Sequence, residues 1–268
     1  MYDVSPILQE ADTMPAKING NSQYLIPVKG EDKPLKCTRA TTVAKAPEDQ
    51  SNLIQWNSRM VALGLGRRQD LLQMAQTIDP DNRRGLQEVV DLAFEAGGGT
   101  VKRNIGTAFH GAMEIVNRGG DPLPFYAETI SEYQDLIMSY GLAPVPNLVE
   151  RSVALTEYGV AGTFDLALTD GDKIYVADYK TGNVEYGASI AIQLAIYARA
   201  DVLVSEDGTQ PEDPPGFDQE VGIVIEAAAG QSPVRLHRVD LDAGWRGFKV
   251  AMDVREWRRT SKSVVAPW

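Results

Sequence analysis

The spacing of apolar positions changes partway along the chain. From residue 51 to about residue 140 apolar residues recur every three or four positions, as on amphipathic helices. Ser51 is placed to cap a helix reaching to about Leu63, with Gly64 and Gly66 ending it. A second helix is expected from about Arg67 to Thr77, stopping near Asp79-Pro80, and a third from Asn82 to Glu95, before Gly97-Gly98-Gly99. A fourth runs from about Thr100 to Arg118 and a fifth from Tyr126 to Tyr140. Beyond Pro144 and Pro146 the runs shorten and become rich in Val, Ile and Leu. Leu148–Thr156, Thr163–Leu168 and Lys173–Asp178 read as strands, the last two joined through Asp170-Gly171, a strong hairpin signal. Ile190–Val204 is helical in period, 205–219 is an acidic Pro-rich loop, Val221–Ala227 and Val234–Val239 are a strand pair, and Gly244–Ser261 is a closing helix. Residues 1 to about 45 read as an extended arm or irregular strands. The expected fold is α/β (α+β): a mixed sheet core flanked by helices, with a helical N-terminal preface. Residues 1–99 form the arm and helical region packed on the core, and 100–268 the core itself.

Composition agrees with a globular chain: 268 residues, 43% hydrophobic and 24% charged. No apolar run reaches the ~18 residues of a membrane span. The acidic start, MYDVSPILQE, lacks the basic and apolar regions of a secretory signal. Lys plus Arg is 26 against 37 Asp plus Glu, a net charge of −11. That argues against coating nucleic acid non-specifically, yet allows a local basic groove and suits carboxylates that hold a metal. One cysteine, Cys37, makes no internal disulfide and no four-cysteine iron–sulfur site. A cytoplasmic location is expected. No Gly-x-x-x-x-Gly-Lys-Ser/Thr loop occurs, so the chain is not itself a helicase.

The stretches with most chemical content are Gly162-Thr163-Phe164-Asp165 and Asp178-Tyr179-Lys180-Thr181-Gly182. With a two-residue turn at Asp170-Gly171, Thr169 pairs with Asp172, and Asp165 sits opposite Val176. Asp165, Asp178 and Lys180 then share one face, with the two carboxylates roughly 7–8 Å apart along the diagonal. A bulge would turn Asp165 to the other face. Carboxylates at that separation can close on one hard cation. Singly, an Asp or Lys at a strand end is usually solvated; three ionisable groups converging beside buried strand cores are a functional candidate. His110 lies upstream in a helix, flanked by Gly106, Ala108, Gly111 and Ala112, which permit close approach; Thr107 and Glu114 fall near its face. A lone histidine of this kind is more often a core or capping residue. Gln193 and Tyr197, four apart, point the same way from the next helix. Glu150 is either a carboxylate supporting the site or an ordinary strand-end charge.

The ordered set His110, Glu150, Gly162-x-x-Asp165, Asp178-x-Lys180 and Gln193-x-x-x-Tyr197 resembles the PD-(D/E)XK nuclease superfamily. The branch is that of RecB-type nuclease domains and CRISPR-associated exonucleases, with relatives in many phages. The resemblance covers about residues 100–260 and makes 100–268 the nuclease core of restriction-endonuclease-like fold; the first hundred residues carry no matching motif. It implies that His110, Asp165, Asp178 and the Tyr179 backbone carbonyl ligate Mg²⁺ or Mn²⁺. Lys180 would orient the attacking water or stabilise developing charge, and Gln193 and Tyr197 would brace the site or the DNA. Many relatives hold an iron–sulfur cluster through four cysteines; with Cys37 alone, none is expected.

The chemistry is consistent with this implication. A phosphodiester is an anion, so hydrolysis needs a cation to neutralise charge and acidify water, with a lysine to stabilise the transition state. Oxygen ligands select a hard cation, and an imidazole biases toward Mn²⁺. Arg67, Arg68, Lys102, Arg103 and Thr107 are candidate DNA contacts, as are Arg83, Arg84, Arg255, Arg258, Arg259 and Lys262; any one of them alone is more often a solvated surface residue. The expected function is a metal-dependent DNA nuclease acting on linear ends, single- or double-stranded, in phage or bacterial recombination, repair or replication. A single-strand annealing protein is the companion such an exonuclease would have. The competing readings are a structure-specific endonuclease and a non-catalytic DNA-binding or assembly module; the intact Asp165, Asp178 and Lys180 set argues against the module.

Overall fold

A computed structural model describes residues 16–265 apart from 183, 185 and 186, and the side chains of 102, 103 and 262 also lie outside the described part. In chain order the first elements are β1 (Lys17–Ile18), β2 (Tyr24–Ile26), β3 (Leu35–Arg39) and α1 (Ala40–Ala44). Then come α2 (Ser51–Arg67), α3 (Gln69–Thr77), α4 (Arg83–Ala96), α5 (Val101–Asn117) and α6 (Ala127–Ser139). The remainder is β4 (Ala143–Leu155), β5 (Val160–Thr169), β6 (Ile174–Lys180), α7 (Ala188–Ala198), β7 (Val202–Val204), β8 (Pro211–Glu212), β9 (Val221–Ala227), β10 (Val234–Asp240) and α8 (Leu241–Thr260). No helix among the described residues is long and apolar enough to cross a membrane.

Two compact units emerge. One is Asp49–Thr107; the other takes the described residues up to Glu48 and from Ala108 onward. The first is helical, built around Leu71, Val89 and Ala93, with Trp56 and Phe94 meeting edge to face at 5.4 Å. Its glycines do not end α2 as the sequence suggests. A Cβ on Gly64 would lie 1.7 Å from the Ala93 carbonyl oxygen, and one on Gly97 would lie 2.0 Å from that of Met60. These glycines let α2 and α4 touch backbone to backbone. Ser51 is the first helical residue rather than the cap; Gln50 holds that position without a side-chain bond. Asn82 does cap α4, accepting the Gly85 N–H.

The second unit is a ten-stranded mixed sheet with helices on both faces. Successive residues of β6 show the two faces: Val176 joins the core under α1, α7 and α8, and Ala177 joins the core under α5 and α6. β5 is the central strand. Along one edge it pairs antiparallel with β4. Its other edge is shared: β3 runs parallel to it at Val160 and Ala161, and β6 antiparallel at Leu166 to Thr169. Residues 162–165 pair with neither, so the sheet has an opening there. β6 continues in parallel to β9, and β9 antiparallel to β10; on the far side β4 pairs β7, and β7 pairs β8.

Three local features depart from the sequence reading. Of the arm before residue 45, residues 1–15 lie outside the described part; from Lys17 to Arg39 it is a regular ladder, β1 to β2 to β3, joined to the sheet through β3. The helix expected over Ile190–Val204 ends at Ala198, and Val202–Val204 is a strand on β4. Its β-branched run is drawn in by pairing that local periodicity does not encode. The β5–β6 register is Thr169 with Ile174, not with Asp172. The cause is turn chemistry: Asp170 Oδ1 accepts the N–H groups of Asp172 and Lys173, and Thr169 Oγ1 accepts that of Gly171, widening the turn. A shift of two keeps the paired side chains of 166–169 and 174–177 on their faces, and Asp165 lies beyond the paired stretch.

Candidate metal centre

The site lies at the sheet opening, where β4 and β5 both break their alternation. Phe164 packs with the core under α7, while Leu166 packs with the core under α5 and α6, so β5 changes face at Asp165. On β4 the pairs Val149 with Leu166 and Arg151 with Phe164 set Glu150 beside that break. Glu150 has φ +51°, a conformation that non-glycine residues seldom adopt without a functional or steric reason. Neither carboxylate is spent on regular sheet packing.

α5 supplies the third member. His110 Nδ1 is 3.5 Å from Asp165 Oδ2. One ligand atom from each of His110, Glu150 and Asp165 lies within 4.8 Å of the others. Tyr179 fixes two of the three. Its backbone N–H donates to Asp165 Oδ2 at 2.7 Å, and its ring meets the His110 ring edge to face at 5.7 Å. The Tyr179 hydroxyl is itself held: it accepts from Asn117 Nδ2 at 2.6 Å, and Asn117 Oδ1 accepts from the Tyr133 hydroxyl at 3.0 Å. Asn117, Tyr133 and Tyr179 are all buried.

Asp178 and Lys180 stand beside this group. Lys180 Nζ forms an ion pair with Asp178 Oδ2. Gln193 Nε2 donates to Asp178 Oδ1 at 3.3 Å and to the Tyr197 hydroxyl at 3.1 Å, so the pair on α7 acts together. Tyr197 fits because position 162 is glycine; a Cβ there would lie 2.6 Å from its ring.

Charge is concentrated here. Burial, then the negative charges of Asp165 and Glu114, push Glu150 up to about 9. Burial and Asp165 push Asp178 up to about 6 against the pull of Lys180. Burial disfavours ionised Asp165 as well, but the positive charge and hydrogen bond of His110, Lys180 and the Tyr179 N–H together hold it below the usual carboxylate range. His110 loses some basicity to burial, yet the Asp165 charge lifts it to about 9. Burial and the crowding of carboxylates thus favour the protonated forms of Glu150 and His110, and binding of a divalent ion there would displace protons. One imidazole nitrogen and two carboxylate oxygens are a donor set that could bind a divalent cation.

Of the residues singled out in the sequence, the structure gathers His110, Glu150 and Asp165 into one group and sets Asp178, Lys180, Gln193 and Tyr197 against one another next to it. Tyr179 touches the group through its N–H and its ring. Thr107 is exposed on α5. In the helical unit Arg67 donates to the Ala96 carbonyl and Arg68 is ion-paired with Asp70. Lys102 and Arg103 lie in α5, their side chains outside the described part. Arg259 is paired with Glu256. Residues that the sequence did not flag are Tyr24 and Ser152, whose hydroxyls lie 3.1 and 2.8 Å from Thr163 Oγ1 at the opening, and Arg39 above the Tyr24 ring. Known protein-family models and curated proteins give no match to this sequence.

Proposed function

We propose that the protein is a divalent-metal-dependent DNA nuclease of the PD-(D/E)XK kind, most simply an exonuclease. The observation that carries this reading is the convergence of His110, Glu150 and Asp165 within 4.8 Å, with the Asp178–Lys180 pair beside them at a break in the sheet. His110, Glu150 and Asp165 would hold Mg²⁺ or Mn²⁺, with Asp178 close enough beside them to feel the Asp165 charge. Such a cation supplies Lewis acidity toward phosphate oxygens and makes water a stronger acid. Lys180 keeps a fixed positive charge at the site, suited to the extra negative charge of a phosphodiester under attack. Gln193, itself bonded to the Tyr197 hydroxyl, holds Asp178, and Tyr179 holds Asp165 and His110. An endonuclease would use the same groups; the form of the DNA substrate separates the two.

The test is degradation of linear single- and double-stranded DNA with Mg²⁺, Mn²⁺ or EDTA, beside a closed circle and the Asp165→Asn variant. The expected result is metal-dependent loss of linear DNA, absent in the variant, with the circle spared. A cut circle would make the enzyme an endonuclease. Folded protein that neither binds Mn²⁺ nor cuts any DNA would overturn the reading and favour a non-catalytic module.

A further inference from the structure

The sheet opening is flanked on the β3 side by Arg39. Its last ladder partner is Ala161, the residue before the unpaired stretch 162–165. Arg39 Nε is buried and has no hydrogen-bond partner among the described residues. Its one described contact is with the Tyr24 ring, whose centroid is 5.9 Å from the guanidinium carbon. By contrast Arg151 and Arg199, whose side chains are also largely withdrawn from water in this unit, each face a carboxylate. A guanidinium taken partly out of water without an anion is unfavourable, and its fixed planar donors match a phosphate bidentately.

The surroundings indicate what the anion would belong to. The Tyr24 hydroxyl reaches Thr163 Oγ1, which reaches Ser152 Oγ, so hydroxyls line the opening from Arg39 toward Glu150 and Asp165. Burial raises the Tyr24 hydroxyl's pKa, and both the Arg39 cation and the Glu150 carboxylate act on it. A chain of net charge −11 that receives a polyanion needs local cations to hold it.

We infer that Arg39 is a phosphate-binding residue, gripping a backbone phosphate of the DNA strand at the β3 side of the opening, beside the one that a cation held by the carboxylates would engage. This rests on the nuclease reading for its ligand. It is a binding role: Arg39 fixes the strand, and the carboxylate group and Lys180 carry the chemistry.

The experiment is binding of a fluorescent single-stranded DNA oligonucleotide and its duplex in EDTA, across a salt series, for wild type, Arg39→Gln and Arg39→Lys. Arg39→Gln should weaken binding about tenfold. It should also lower the slope of log affinity against log salt by about 0.7 for the single strand and 0.9 for the duplex, the loss of one phosphate contact. Arg39→Lys should keep the slope and recover part of the affinity, since an ammonium keeps the charge without the fork. Because the wild-type cation lacks an anion, Arg39→Gln should melt no lower than wild type. Should it fail to fold, the Lys variant still decides, by keeping the slope while losing affinity. Unchanged affinity and slope in both variants would overturn the inference, as would a slope change with no loss of affinity. EDTA silences the chemistry, so the two readings fail separately. Cleavage with no Arg39 effect removes the phosphate site alone, and an Arg39 effect without cleavage in metal removes the nuclease alone.

Discussion

At the turn end of the β5–β6 hairpin, Asp170 is exposed and accepts the N–H groups of Asp172 and Lys173 and the Tyr175 hydroxyl. Those donors hold its carboxyl down to about 2. At the open end Asp178 is buried, burial being the main cause and the neighbouring Asp165 the second, and it is pushed up to about 6. The two residues share a strand pair and a side-chain chemistry. What differs is the supply of donors. The turn end surrounds a carboxylate with N–H groups, as a structure that is finished does. The open end gathers carboxylates faster than it gathers donors, as a structure awaiting a cation does.

The largest effects should come from removing charge at the open end. Asp165→Asn and Lys180→Ala should each lower DNA cleavage in Mg²⁺ about 10²–10³-fold. Asp165→Asn keeps the side chain's volume and should stay folded, whereas Lys180→Ala should also lower the melting temperature, since it leaves the buried Asp178 carboxylate without its cation. Asp170→Asn should leave cleavage intact. Equal loss of activity at both ends would mean that hairpin integrity, not the charge group, controls the reaction.

A smaller effect tests whether Tyr179 is a scaffold for the centre or ordinary core. Tyr133→Phe removes the hydroxyl that donates to Asn117 Oδ1 and so loosens the support of the Tyr179 hydroxyl. Stability should fall by about 1 kcal/mol. Mn²⁺ affinity should fall about tenfold, as expected when support of a ligand is removed. A lower melting temperature with an unchanged Mn²⁺ titration would reduce the network to packing.

These two ends also differ in how legible they are in the sequence. Helix limits such as Arg83–Ala96 follow from a local cap and a local glycine run, and the structure keeps them within a residue or two. The hairpin is legible from Asp-Gly, but its register is not, because two side chains, Thr169 and Asp170, take backbone N–H groups that a tighter turn would have paired. The face of Asp178 and Lys180 survives only because the shift is even. The place of Glu150 depends on φ +51° at a residue that gives no local sign of it. The strand Leu35–Arg39 joins the sheet through pairing with residues far along the chain, so Arg39 at the opening has no local signature at all. Local chemistry is readable; long-range pairing and backbone breaks are what the fold adds.

The smallest expected effect belongs to the turn end, and its sign is fixed. Asp170 titrates lower in the folded protein than in an unfolded chain, where a carboxyl sits near ~3.9. Its contribution to stability is therefore fully present above about pH 4 and is lost as pH falls through about 2. Asp170→Asn keeps the side-chain oxygen that accepts the turn N–H groups but removes the titration. The wild type should thus lose stability relative to the variant between about pH 4 and 2, with the gap constant from pH 5 to 7. Urea unfolding at intervals across that range measures it. Cleavage at neutral pH should not change, because the turn holds its geometry with or without the charge. A gap that instead opened on going up in pH would mean that Asp170 titrates high, and the contrast between the two ends of the hairpin would be gone.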